Sequence, residues 1–215
     1  MKPIKALIFD MDGVIVDSEP LHTQAFLDVF KELGYPGDHG LDFEAYYGHS
    51  DPIVWKDFCR LHHPPQSLDE LTGLKQKRFL ELLINRQPLF PEIERLLELL
   101  ARRFTLGLAS GSPHRVIGEV LGMRNLRRFF SAVVSAEDVP RGKPAPDVFL
   151  KAALILNTHP SDCCVIEDAA VGVEAALAAG MQVIAITNSL PQAKLSRATK
   201  VVSTYGELES LLVAS

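Results

Sequence analysis

Two carboxylates separated by one residue, Asp10 and Asp12, close the apolar run Ala6-Leu7-Ile8-Phe9, and Gly13 follows them. In an extended segment side chains alternate, so acids at i and i+2 project to one side with Met11 turned away. Carboxylates that close repel by roughly 4 kcal/mol at an effective dielectric near 20, so the pair calls for a proton or a cation, and a proton on one acid with a metal on the other would satisfy both. Gly13 lets the backbone bend close to a bound group. Three more groups suit the same chemistry: Ser110 with Gly111, Lys143, and the acid pair Glu167-Asp168. Mg2+ prefers oxygen ligands and keeps waters, so Asp10, a backbone carbonyl near Asp12, and Asp168 could hold it, with Glu167 acting through water. Asp10 could then attack phosphorus, while Asp12 protonates the leaving oxygen and later deprotonates the attacking water. Ser110, Gly111 and Lys143 would bind the phosphate oxygens.

Each residue alone has an ordinary explanation. Ser110 fits a turn, Lys143 a solvated loop, Asp168 a helix cap, and Asp10 with Asp12 a strand-end turn. The case for chemistry is their joint placement, which depends on the elements that carry them. Lys5 to Phe9 is bounded by a turn and reads as a strand buried on both faces of a parallel sheet. Asp17-Ser18-Glu19-Pro20 is a helix start with a capping residue and a first-turn proline, and that helix should run to about Leu33 before Gly34. From there to about Arg86 the chain has helical spacing and no clear strand: Phe43 to Tyr47, Ile53 to Leu61, and Leu68 to Ile84. His62-His63-Pro64-Pro65 is the clearest loop, with no cysteine or acid at metal spacing around it. Beyond Pro91, strand and helix alternate. Helices are expected over 92–103, 113–121, 147–156 and 171–179, and strands over 105–109, 132–135, 163–166 and 182–186. The fold class is therefore α/β, a doubly wound parallel sheet with a Rossmann-like core over 1–16 and 88–215 and an inserted all-helical cap over 17–87. In such a sheet ligands bind at the carboxyl ends of strands, where all the groups above fall.

Composition sets limits. The chain has 215 residues, 47% hydrophobic and 23% charged, with a net charge of −5, enough for one large core or a core plus a small insertion. Arg102-Arg103 and Arg127-Arg128 are too short for a nucleic-acid footprint, so neither nucleic acid nor a membrane is expected as a partner. Cys59, Cys163 and Cys164 make no disulfide framework and read as reduced thiols in a cytoplasm. No signal peptide is expected at the N-terminus, and a monomer is the expected state.

Phe-Asp-Met-Asp-Gly-Val at 9–14, Ala-Ser-Gly-Ser at 109–112, Gly-Lys-Pro-Ala-Pro-Asp at 142–147 and Ile-Glu-Asp-Ala-Ala-Val-Gly-Val-Glu-Ala-Ala at 166–176 resemble the four motifs of the haloacid dehalogenase-like hydrolase superfamily. Together they cover nearly the whole chain. The nearest branch is that of β-phosphoglucomutases and small sugar-phosphate phosphatases, whose first cap segment is similar to Asp17 through Phe26. The resemblance implies Mg2+ as cofactor and an aspartyl-phosphate intermediate. It makes Asp10 nucleophile and metal ligand, Asp12 acid/base and part of the metal site, Ser110, Gly111 and Lys143 phosphate binders, and Glu167 with Asp168 the metal-side acids. Cap residues would choose the leaving group, with His22, Gly48, His49 and Lys75 as candidates beside the alternative that each is a packed or solvated residue.

Asp12 sets aside the dehalogenases, which lack the second acid, and the phosphonatases, which carry alanine there. A receiver domain holding aspartyl phosphate as a signal, without turnover, is a rival of another class, but it has tandem acids at its first strand and no helical insertion. Within the branch, the mutase's cap arginine has no counterpart in His49-Ser50-Asp51-Pro52, and the lysine after its second motif is replaced by Pro113. Lys75, Lys77 or Arg115 could compensate. The expectation is hydrolysis of a small phosphorylated sugar or related metabolite, with a phosphosugar mutase as the alternative.

Overall fold

A computed structural model describes residues 3–35, 37, 39–46 and 51–213. The first strand, β1 (Ala6–Phe9), is buried at every position. At about 1.5–3 kcal/mol for each large apolar side chain removed from water, this run is committed to the middle of a sheet. The chain forms two compact units, residues 1–17 with 89–215, and residues 18–88.

Unit 18–88 is helical. Helix α1 (Glu19–Glu32) has its proline in the first turn, yet Ser18 makes no capping bond with its side chain. Its backbone is already helical (φ −92°, ψ −21°), whereas the capping geometry needs an extended residue. Helix α2 (Asp51–His62) and α3 (Leu68–Arg86) follow, the latter opened by a reciprocal capping box between Ser67 and Glu70. Phe26, Phe30, Trp55, Phe58 and Leu71 form the core of this unit, with Phe30 and Phe58 stacked at 4.3 Å.

The other unit resumes with α4 (Ile93–Ala101), which buries Ile93, Leu96, Leu97 and Leu100. It continues through β2 (Thr105–Ala109), α5 (His114–Gly122), β3 (Ala132–Val134), α6 (Asp147–Ile155), β4 (Cys163–Glu167), α7 (Ala170–Ala178) and β5 (Gln182–Ile186). Two elements not anticipated from the sequence complete it, β6 (Lys200–Val202) and α8 (Tyr205–Val213). All strand pairs are parallel, in the order β3-β2-β1-β4-β5-β6. The chain builds outward from β1 on one side and from β4 on the other, so the strand order reverses between β1 and β4. Crevices at such reversals, at the carboxyl ends of strands, are where doubly wound sheets bind ligands. Among the described residues, no helix is long and apolar enough to cross a membrane.

Candidate active site

The register of the two central strands brings the acids together. Phe9 pairs with Ile166, and the Asp10 N–H donates to the Ile166 carbonyl at 2.9 Å. Asp10 and Glu167 therefore leave adjacent strands at the same level. Lys143, delivered by the loop before α6, lies between them, with Nζ 2.5 Å from Asp10 Oδ1 and 2.8 Å from Glu167 Oε1. The ammonium also sits 4.7 Å from the centre of the buried Phe149 ring of α6. The second Glu167 oxygen accepts from the N–H groups of Asp168 and Ala169 at 2.8 Å each.

Beyond Asp10 the chain turns sharply. Met11 O accepts from the N–H groups of Ile15 and Val16, and Gly13 N–H donates back to Val16 O at 2.8 Å. Gly13 has φ +74°, and a Cβ there would lie 1.8 Å from Asp168 Oδ2. Only glycine permits both that turn and that approach. Gly172 plays the matching part in α7, where a Cβ would lie 1.6 Å from Glu167 Oε1.

Ser110, fully buried, follows directly after β2. Its hydroxyl lies 3.5 Å from Asp12 Oδ2 and accepts from Ser112 N–H at 3.0 Å. Gly111, at the exposed tip between the serines, has open space where a Cβ would be. Ser112 Oγ donates to Asp12 Oδ2 at 2.8 Å.

Electrostatics follow from the crowding. Burial pushes the Asp10 carboxyl up to about 7, against the pull of Lys143 and with further push from Glu167 and Asp12. Burial disfavours the Lys143 ammonium, but Asp10 and Glu167 outweigh it and hold the group above its ordinary range. One ligand oxygen from each of Asp10, Glu167 and Asp168 falls within 4.8 Å of the others. Three buried carboxylates facing a single ammonium form an all-oxygen set with excess negative charge, which fits a hard divalent cation. Asp10 and Asp168 would be its holders. Glu167, the third member of the cluster, also accepts from Lys143 and from the two N–H groups at the start of α7, while Asp12 Oδ2 accepts from Ser112.

The strand-end candidates of the sequence thus lie together in one unit. Two others meet in the helical unit: Lys75, 1% exposed, has Nζ 2.6 Å from His22 Nδ1 and 2.7 and 2.8 Å from the two oxygens of Asp51. His22 stacks on Phe79 at 4.0 Å between ring centres. Gly48 and His49 lie outside the described residues.

Sequence reasoning passed over Ser112, Asn188, Ser189 and Tyr205. Ser189 Oγ donates to Asp168 Oδ2, and Asn188 Nδ2 donates to Gly13 O at 2.7 Å and to the Tyr205 hydroxyl at 2.9 Å. Tyr205, at the start of α8, donates its hydroxyl to Val14 O at 2.7 Å. Position at a strand end was the available signal for Asn188 and Ser189, which follow β5 closely.

Comparison with known proteins gives a match to the family model for haloacid dehalogenase-like hydrolase over residues 4–180. Hexitol phosphatase B of Escherichia coli K12 is 35% identical over 187 residues, 86% of this chain and 84% of that one. β-Phosphoglucomutase of Bacillus subtilis is 32% identical over 196 residues, 87% of this chain and 85% of that one. Among solved structures, β-phosphoglucomutase from Clostridium difficile superposes with a TM-score of 0.80 at 26% identity, covering 98% of this chain and 96% of that chain.

Proposed function

The chain belongs to the haloacid dehalogenase-like hydrolases, and from that premise we propose that it is a Mg2+-dependent phosphatase of small phosphorylated sugars or related metabolites. The observation that carries the reading is Lys143 set between Asp10 and Glu167, with Asp168 completing a buried oxygen cluster. In the first step an Asp10 carboxylate oxygen attacks phosphorus, the ester P–O bond breaks, and Asp12 gives its proton to the leaving oxygen. In the second, water attacks the phosphorus of the aspartyl phosphate, Asp12 takes the water's proton, and the acyl P–O bond breaks to restore the Asp10 carboxylate. Lys143, Ser110 and the Gly111 N–H neutralise and orient the phosphate oxygens. Asp10 and Asp168 would hold Mg2+, which when bound would supply positive charge to offset the repulsion between the phosphoryl oxygens and the attacking carboxylate.

Residues of the helical unit, among them His22 and Lys75, select the organic part of the substrate. The mutase reading is supported by the relatives that carry that name. Hydrolysis is favoured because Pro113, at the N-cap of α5, replaces a lysine, and because Lys75 is already neutralised by Asp51. Inorganic phosphate release across a panel of sugar, glycolate and nucleotide phosphates tests the proposal. Turnover should concentrate on sugar and polyol phosphates, vanish in excess chelator and return with Mg2+. Undiminished turnover in chelator, or no hydrolysis of any member, overturns it.

A further inference from the structure

We propose that Ser112 is a positioning residue for Asp12, and that the two serines of the turn after β2 divide their work, Ser110 serving the phosphate and Ser112 the acid/base carboxyl. The inference rests on the reading of Asp12 given above. Both hydroxyls approach the same Asp12 oxygen, but Ser112 does so at 2.8 Å and Ser110 only at 3.5 Å. The first distance is a good O–H···O bond and the second lies beyond the usual range. A hydroxyl proton donated to Asp12 cannot at the same time be donated to a phosphate oxygen, so the geometry separates the two roles.

Ser112 is itself anchored. Its N–H donates to Ser110 Oγ at 3.0 Å, and its carbonyl accepts from Ser135 Oγ at 2.8 Å. Ser135 is fully buried, its N–H donates to Asp138 Oδ2 at 2.9 Å, and its Oγ accepts from Glu137 N–H at 3.1 Å. Pro113 follows immediately with φ −63°, a ring-fixed torsion that further limits the turn. The hydroxyl that holds Asp12 therefore has a stationary origin, traced back to the end of edge strand β3. A hydroxyl can also accept from the carboxyl O–H when that oxygen carries the proton, which an ammonium or amide N–H cannot.

Leaving-group dependence tests this. An alkyl phosphate needs a well-placed acid to expel its alkoxide, whereas p-nitrophenyl phosphate expels a stable phenolate with little help. Ser112→Ala should lower kcat/KM for the fastest sugar phosphate of the panel by about 10- to 100-fold, in line with the cost of misplacing a reacting group. It should change kcat/KM for p-nitrophenyl phosphate by less than about threefold, and Ser112→Thr should recover most of the loss. Beryllium fluoride binding should survive in both variants, because Asp10, Ser110 and Lys143 are intact. Ser112→Cys, which keeps the size and bonds weakly, should fall with Ser112→Ala and serves in its place if that variant folds poorly. Equal losses on both esters, loss of beryllium fluoride binding, or wild-type rates on the sugar phosphate would each overturn the assignment. Asp12→Asn run alongside should show the same alkyl-selective loss. If it does not, the reading of Asp12 fails, whereas selectivity in Asp12→Asn without selectivity in Ser112→Ala rejects the positioning role alone.

Discussion

At the scale of single residues, Asp10 and Asp12 have the same side chain two positions apart but different surroundings. Asp10 is 6% exposed and bound to Lys143, while Asp12 is held by a serine hydroxyl. The first environment suits a nucleophile kept beside a cation, the second a group that exchanges a proton. Asp10→Asn should abolish both turnover and beryllium fluoride binding, whereas Asp12→Asn should lose turnover by at least about 100-fold yet still bind the mimic. The reverse pattern would exchange the roles. The Asp10 carboxyl, pushed up to about 7 by burial, adds a second prediction. A cation needs the carboxylate form, so Mg2+ uptake at pH 6 should release close to one proton per metal and at pH 8.5 almost none. Apparent affinity should rise by up to about tenfold per pH unit below 7 and flatten above it. Calorimetry in two buffers of different ionisation heat reads the proton count, and a count that does not change with pH would rule out Asp10 as the coupled group. By the same linkage, a carboxyl whose folded value is raised contributes stability at low pH that is lost as pH rises through about 7.

At the scale of elements, steric fit outweighs propensity. Gly172 sits inside α7, where alanine would gain up to about 1 kcal/mol of helix propensity. A Cβ there would overlap Glu167 Oε1 at 1.6 Å, which forces the carboxylate off Lys143. Gly172→Ala should therefore lower both kcat and Tm, despite being a helix-favouring change, and a higher Tm with normal kcat would show that α7 can shift without cost to the site. In the helical unit, Ser67→Ala removes the capping box that opens α3 and should cost about 1 kcal/mol in denaturant unfolding. The sequence analysis placed that helix from Leu68 without its capping box, whereas β1 was visible in its unbroken apolar run. The α4 stripe of Ile93, Leu96, Leu97 and Leu100 was legible for the same reason, since a local period reports directly on a buried face. Strand β6 was not anticipated: Lys200 is exposed and leaves only two apolar residues, whereas the equally short edge strand β3, Ala-Val-Val, is apolar throughout. The contacts of Asn188 with Gly13 and of Ser112 with Asp12 were not legible either. Their partners lie far away in sequence, and a lone serine or asparagine after a strand reads first as turn chemistry.

At the scale of the whole molecule, the open choice is the acceptor of the phosphoryl group, water or a second sugar hydroxyl. A mutase must retain a bisphosphate by both ends while it reorients, and each missing cation at the distal phosphate costs about 1.5–3 kcal/mol of charge-assisted hydrogen bonding. In the helical unit, Lys75 is committed to both oxygens of Asp51, and Arg78 lies near Asp28, Glu32 and Glu81. Freeing Lys75 for a phosphate would leave a carboxylate without its cation, so the net gain is smaller than the new bond. In the core unit, the cation that could follow the second motif is absent at Pro113, and Arg115 is an exposed residue of α5. A bisphosphate should therefore dissociate or be hydrolysed faster than it turns over in place. Supplied with β-glucose 1-phosphate and a trace of glucose 1,6-bisphosphate, the enzyme should release free phosphate with little glucose 6-phosphate formed. Rapid isomerisation with little phosphate release would show that the acceptor is the sugar. Asp51→Ala sharpens the test: if the carboxylate is what withholds Lys75, this variant should bind the bisphosphate at least about tenfold more tightly, one such bond's worth, while a variant with unchanged affinity would mean that Lys75 takes no part in discriminating the two acceptors.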